Sequence, residues 1–575
     1  MSDLPRHVLV LGGGVAGMTA AHELCERGFR VTVIERHDIP GGKARSMPAT
    51  KVGLGGPPYP PGEHGFRFFP SFYRHLPDTM RRIPFAGNSN GVLDNLVPAH
   101  RAEIARTGGR SLQLPLSMPG SIGDVRLVLK DLFHNDLHIP KRDWLHFVLL
   151  LVRLLASCER RRFEQYENES WWAFSGADRR SPQYAEYLAD GLTRTLVAAK
   201  AREMSARTGG SILLQLLRLA GPDESVDRVL DGPTNDRWID PWLDHLRSRG
   251  VDYRSGTHVR QLVCDGTRIT KVIVADATDG AQGIDVDLVV SALPVERLQG
   301  LLTMEVITAQ PALADIAKLR TRWMNGVVYY LARDVPIVQG HVLYMDSPWA
   351  LTSISQPQFW TGIDIGSYGD GRIKGILSVD VSDWDAVAPR LGVPAIECDY
   401  DMIVDEVWQQ IVDHLDGDGA TVLEAGDRLG AFVDSDITGD ADSPARRTAA
   451  DRSVDINKEP LLVNTAGSWA DRPVSVTAFA NLFLAGDFVR TYTDLATMEG
   501  ANESARRAVN ALLDSLGSTA DRCAVWPLHE PALFRPLKAI DAVGYRLRHG
   551  RRPPVGPFGR GTAGPGAPVG PGPGR

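Results

Sequence analysis

Residues 8–46 read VLVLGGGVAGMTAAHELCERGFRVTVIERHDIPGGKARS, and the order of their parts decides the fold. An apolar strand, Val8 to Leu11, runs into a Gly12-x-Gly14-x-x-Gly17 turn. An amphipathic helix follows, then a second apolar strand that ends at Glu35. Strand, turn, helix, strand and acid in this order make a dinucleotide-binding unit. Gly12 permits the tight turn, Gly14 lets the backbone approach a pyrophosphate, and Gly17 lets helix and strand pack closely. Val15 and Ala16 open the helix, whose free N–H groups and partial positive charge suit phosphate oxygens. Glu35 lies 18 residues beyond Gly17, where a carboxylate can accept hydrogen bonds from ribose hydroxyls, and Arg36 follows it.

A second glycine pair comes directly after the second strand, in Gly41-Gly42-Lys43-Ala44-Arg45-Ser46. Taken alone it also reads as an ordinary Gly-rich turn. Simple NAD dehydrogenases have no need of it, whereas many flavoproteins use such a pair and its basic neighbour at the flavin pyrophosphate. Far along the chain, Asn481 to Asp487 is an apolar strand ending in Gly486-Asp487, a pair able to hold ribityl or phosphate oxygens. A helical pattern then starts near Met498-Glu499-Gly500-Ala501. Its N-terminal dipole suits the edge of a flavin that becomes anionic on reduction. Together these features select FAD. No cysteine lies in residues 465–505, so the flavin is expected to be held non-covalently.

On these motifs, and on GEHGFRFFPSFY at 62–73 and AGDFVRTYTDLATMEGANESA at 485–505, the chain resembles the FAD-dependent phytoene desaturase and flavin amine oxidase superfamily. Within it the sequence looks most like the carotenoid and squalene branch: plant-type phytoene and ζ-carotene desaturases and hydroxysqualene dehydroxylases. Both ends of the chain carry the resemblance strongly, the middle loosely. Two positions depart from the pattern. Glu503-Ser504-Ala505 stands where the family often has Ser-Gly, and Arg67 stands where plant-type desaturases tend to show His. The resemblance implies that Arg67 and Phe68 lie near the ring, and that Val259 presents a backbone amide to the adenine.

The composition fits a large globular protein: 575 residues, 43% apolar and 23% charged, enough for two or three domains. A net charge of −7 without a basic, aromatic-studded stripe argues against nucleic acid. Cys25, Cys158, Cys264, Cys398 and Cys523 show no paired spacing, which fits a reducing compartment and no metal site. No signal peptide is visible. The longest apolar helical stretch, 146–156, is too short to span a bilayer and contains Arg153, so a buried helix is expected, with a membrane-dipping one as the alternative. The expected localisation is cytoplasmic, with peripheral contact on the inner membrane face.

The fold class expected is α/β: a discontinuous Rossmann-like FAD-binding domain with an inserted α+β substrate domain. Residues 1–100, 236–300 and 461–515 are assigned to the FAD-binding part. Residues 101–235 read as a helical substrate region, and alternating strands over 301–460 as an antiparallel substrate sheet. Residues 516–550 read as C-terminal helices and 551–575 as a disordered Pro/Gly tail. Leu537, Ile540, Gly544 and Leu547 recur at helical spacing among Arg535, Lys538, Arg546 and Arg548. Such a helix either docks on the body with its basic face solvated or lies on an anionic membrane.

The leading reading is an FAD-dependent oxidoreductase that takes a hydride from an apolar, isoprenoid substrate and is re-oxidised by a diffusible acceptor, a quinone or oxygen. Arg67 and Tyr329 are the catalytic candidates, with Tyr330 and Trp349 as further pocket wall; sheet packing is the plain alternative for the tyrosines. A flavin amine oxidase is the second reading. The strand at 324–333 lacks the lysine such enzymes usually carry, although Lys318 stands just before it. A redox-neutral isomerase and a flavin-binding scaffold complete the alternatives.

Overall fold

A computed structural model describes residues 6–550 apart from 110, 117–137, 192–193, 195–198, 217–226, 277–279, 417–420, 435–436 and 438–456. The Pro/Gly tail at 551–575 lies outside the described residues.

The first unit forms as its pattern dictates. His7–Leu11 is a buried strand, Val15–Glu26 the helix and Arg30–Ile34 the second strand. They belong to a five-stranded parallel sheet ordered Leu482–Leu484, Leu288–Ser291, His7–Leu11, Arg30–Ile34, Asp252–Arg254. Leu288–Ser291 and Leu482–Leu484 are buried throughout, as strands of a parallel sheet covered on both faces must be. Helices Val15–Glu26 and Met498–Ser515 pack on each other over this sheet. The sheet is therefore assembled from the start, middle and end of the chain. Beside it, His258–Cys264, Ile269–Asp276 and Gly280–Asp285 form a three-stranded antiparallel sheet.

The second layer is a seven-stranded sheet ordered Arg428–Val433, Gly326–Leu331, Gly375–Val381, Leu351–Ser355, Gly340–Tyr344, Arg101–Ala105, Leu112–Pro115. Residues 101–115, read from sequence as the start of a helical stretch, are thus two strands at its edge. Arg101–Ala105 pairs parallel with Gly340–Tyr344, a partner more than two hundred residues away. The helix Tyr400–Leu415 covers one face of this sheet.

Helices begin again at Lys141–Ala156, which buries Trp144, Phe147, Leu150 and Leu154. The expectation of a buried helix holds for that side only. Leu145, Val148, Leu149 and Val152 on the other side are exposed. Within 516–550 the long helix is Arg535–His549. Among the described residues no helix is long and apolar enough to cross a membrane.

Candidate active site

A cavity of about 460 Å³ opens where the parallel sheet, the three-stranded sheet and the ends of the seven-stranded sheet meet. Gly12, Gly14, Val15 and Ala16 form one wall. Gly14 caps the helix Val15–Glu26 without any side-chain hydrogen bond, so the first helical N–H groups keep their donors for a ligand. Gly17 lies beneath this wall and packs against the turn, the second of the two roles a glycine can have here. Gly41 and Gly42 are left-handed, with φ of 106° and 58°, and Gly14 forms a bridge with Gly41. A Cβ on Gly42 would sit 2.9 Å from Gly14 Cα, so the two glycine boxes touch only because neither carries a side chain there.

Glu35 reaches the cavity, yet its carboxylate already accepts from Gly13 N at 2.7 Å and His37 N at 2.9 Å. A carboxylate offers about four acceptor positions, so two remain for ribose hydroxyls. Tyr253 OH closes the same turn by donating to Gly13 O at 2.9 Å. Arg36, Gly42, Lys43, Ala44 and Val259 all line the cavity. Arg36 and Lys43 do not stand free. Arg36 and His37 pair with the buried Glu459, and Lys43 lies 3.0 Å from Glu296. Burial would raise the Glu459 carboxyl, but the His37 hydrogen bond and the charges of Arg36, Arg45 and Lys43 hold it well below the usual carboxylate range. Arg45 is buried behind the wall, donates to Gly42 O at 2.8 Å and does not reach the cavity.

Arg67 and Phe68 are at the cavity, from the 62–73 segment. The Arg67 guanidinium donates to Lys43 O at 2.6 Å and to Gly65 O, tying this segment to the second glycine box. Two neighbours were not singled out from the sequence: Asp380, which carried no signal there, and His64, which lies within the quoted 62–73 motif. Asp380, at the end of the strand Gly375–Val381, accepts from Phe66 N at 3.1 Å; burial pushes its carboxyl up to about 7 despite Arg67. His64 pairs through Nδ1 with the buried Asp434, and its Nε2 is buried without a hydrogen-bond partner at the cavity wall. Buried polar atoms are ordinarily hydrogen-bonded, so this nitrogen is a donor or acceptor at the wall that the protein itself leaves unused.

At the far end, Gly486 and Asp487 line the cavity, as do Met498 and Ala501. Gly486 has φ of 126° and its N–H donates to Ser504 Oγ at 2.9 Å. Thr497 caps the helix Met498–Ser515 by accepting from Gly500 N at 3.1 Å. Glu499 turns the other way. Its buried carboxylate accepts from the N–H groups of Arg74, His75 and Leu76 and so caps the helix His75–Arg81. The unusual Glu503-Ser504 pair has a structural use too: Glu503 accepts from Tyr492 N and Thr493 N.

Tyr329 is not brought to the site. It sits in a central strand covered on both faces, donates to Val404 O at 2.7 Å and packs edge-on against Trp408. Tyr330 donates to Pro61 O and Trp349 to Ala386 O, both in the core. The sheet contributes strand ends instead, through Met324 and Asp380. Lys318 is at the surface, paired with Asp315 and Asp471. None of the five cysteines lines the cavity.

The family described as flavin containing amine oxidoreductase matches residues 15–338, more than half of the chain. The chain belongs to this family. It is an oxidoreductase, and its cofactor is FAD. As a member of the flavin containing amine oxidoreductases it has relatives along most of its length. It is 24% identical to a zeta-carotene desaturase of Synechocystis sp., over 88% of this chain and 97% of that protein. It is 25% identical to a carotenoid phi-ring synthase of Streptomyces griseus, over 89% and 88%. Cyclohexylamine oxidase from Brevibacterium oxydans has a similar fold, with a TM-score of 0.55 at 14% identity, covering 89% of this chain and all of that one.

The residues present fit FAD. The paired glycine boxes leave a cradle that a Cβ would fill, and the adjoining helix N-terminus offers unpaired donors. Glu35 has acceptor positions left, and the lining also includes Gly486, Asp487 and a second helix N-terminus.

Proposed function

We propose that this flavoenzyme dehydrogenates an apolar, isoprenoid substrate of the carotenoid or squalene type. The observation that carries the reading is the make-up of the wall nearest the substrate sheet. Phe66, Phe68 and Met324 present apolar surface there, and the one lysine among the described residues lining the cavity, Lys43, is paired with Glu296. Relatives along nearly the full chain are named for carotenoid chemistry, which agrees with it.

In this reading Gly12, Gly14, Val15 and Ala16 hold the pyrophosphate, Glu35 the ribose and Val259 the adenine. Gly486, Asp487, Met498 and Ala501 face the rest of the cofactor. When bound, the flavin supplies hydride acceptance from an allylic carbon. The protein's own part is to orient the chain, exclude water and take up the proton that leaves with the second C–H bond. Asp380, beside Phe66 and Phe68, is a group on the wall able to hold it. A diffusible acceptor, a quinone or oxygen, re-oxidises the enzyme. The protein works in the cytoplasm in peripheral contact with the membrane that dissolves such substrates.

Mass spectrometry of lipids from cells with and without the chain tests this. A product two hydrogens lighter than its precursor supports dehydrogenation. An unchanged mass with a shifted absorption spectrum would replace it with isomerisation, and peroxide released from simple amines would replace it with amine oxidation. Gly14→Val tests the cofactor cradle: Gly14 has a φ of −77° and its Cβ would meet Gly42 Cα at an ordinary 3.5 Å, so the purified protein should fold but lose its yellow absorbance.

A further inference from the structure

The helix Arg535–His549 is docked by the side that an amphipathic helix ordinarily shows to water. Its inward residues are Lys538, Asp541 and Tyr545. Asp541 pairs with Arg161 at 2.7 Å and accepts from Cys158 N at 2.9 Å. Tyr545 is buried beneath the guanidinium groups of Arg160 and Arg161, and Lys538 pairs with Glu530. Its outward residues are Leu537, Ile540, Val543 and Leu547, the last two-thirds or more uncovered at 82%. Burying polar groups while leaving a leucine stripe in water is unfavourable for an isolated chain, since each exposed leucine forgoes its transfer free energy.

The neighbouring helix extends the same surface. Lys141–Ala156 packs against Arg535–His549 and exposes Leu145, Val148, Leu149 and Val152. Of the 13 large apolar side chains exposed among the described residues, nine lie on these two helices or at Leu533 just before the second. An apolar patch so concentrated marks a surface that something covers.

The charges say what. Lys141, Arg535, Arg546 and Arg548 are exposed and form no ion pair among the described residues, although the chain as a whole carries −7. The acids of the two helices, Asp143 and Asp541, are engaged with Arg180 and Arg161. A second copy seated on this face across a two-fold axis would bring like charges together. By composition the 25 residues that follow complement neither its stripe nor its charge: Val555, Phe558 and Val569 are their only large apolar side chains, and they add Arg551, Arg552, Arg560 and Arg575. Apolar stripes flanked by unpaired cations fit a bilayer with anionic headgroups.

We propose that the joint outer face of helices Lys141–Ala156 and Arg535–His549 is the surface by which this protein rests on an anionic lipid bilayer. The proposal rests on the peripheral contact proposed above and names its face. Co-sedimentation of the full, flavin-loaded chain with phosphatidylcholine vesicles, with and without phosphatidylglycerol, tests it. The unaltered protein should bind the anionic vesicles and release at high salt. The pairs Ile540→Glu with Leu547→Glu, and Leu145→Glu with Leu149→Glu, should each weaken binding about tenfold or more. Met304→Glu, at an exposed apolar position elsewhere, should bind as the parent does. All are surface changes, so yellow absorbance and thermal unfolding should match the parent. Binding by the parent that survives both pairs would overturn the face while leaving peripheral contact standing. No binding by the parent would overturn both. Equal binding to neutral vesicles would overturn the anionic partner. Dimers that dissociate in the same variants, without vesicle binding, would assign the face to a second copy.

Discussion

Two helices near the end of the chain have the same kind of pattern and opposite fates. Met498–Ser515 buries Ala505, Ala508, Val509, Leu512 and Leu513 against the helix Val15–Glu26 and the parallel sheet. Arg535–His549 buries charged and phenolic groups and leaves its leucines outside. Periodicity identifies two faces of a helix, and it does not say which one the protein covers. What decides is the surface waiting beneath. The first helix meets an apolar sheet at the cofactor end. The second meets Arg160, Arg161 and Arg162, which only acids, carbonyls and aromatic faces can satisfy.

The comparison breaks most visibly through truncation of matched leucines. Leu512→Ala should cost about 2–5 kcal/mol in chemical unfolding, because it opens a cavity in a closed core. An effect as small as a surface change would show that this helix is held by its ends alone. Acid should loosen the same helix pair next. Burial alone would raise Glu23, but Arg506 from the partner helix and Arg82 hold it down at about 2, from an ordinary 4.5. A depressed carboxyl contributes stability that is present above about 4.5 and lost as pH falls through about 2. Its loss is worth about 3 kcal/mol, and Glu23→Gln should flatten that part of the unfolding-versus-pH curve. Thr497→Ala removes the cap of Met498–Ser515 and should cost about 1 kcal/mol while weakening flavin retention, read by dialysis. Ile540→Ala should change unfolding by less than about 0.5 kcal/mol in lipid-free buffer. A larger loss would mean that the outer stripe is covered within the folded chain.

The contrast in what could be read in advance follows the same physics. Gly12, Gly14 and Gly42 were legible because the constraint on each is local: a turn or a close backbone approach that excludes a side chain. Glu35 was legible by its distance from the turn, though its bond to Gly13 N was not. Glu499 and Arg45 show what motif membership leaves open. Each sits in a motif that meets the cavity, but a side chain can leave a motif in either direction, and theirs turn to cap a helix and to brace a glycine. Tyr329 followed the sheet-packing alternative, because a central strand of a two-sided sheet alternates between two interiors, neither of which is the cavity. His64 lay within the 62–73 motif but was passed over for Arg67, while Asp380, Asp434 and Glu459 carried no sequence signal, since they come from distant segments with no shared spacing.

By itself, then, the amino-acid sequence determined the dinucleotide turn, the split flavin-binding domain and the cofactor, because backbone sterics and strand–helix periodicity act between near neighbours. Which carboxylates face the cavity, which arginines are already paired, that 101–115 completes a distant sheet, and which side of the terminal helix is covered were decided only in three dimensions. Burial and pairing depend on what the rest of the chain brings alongside.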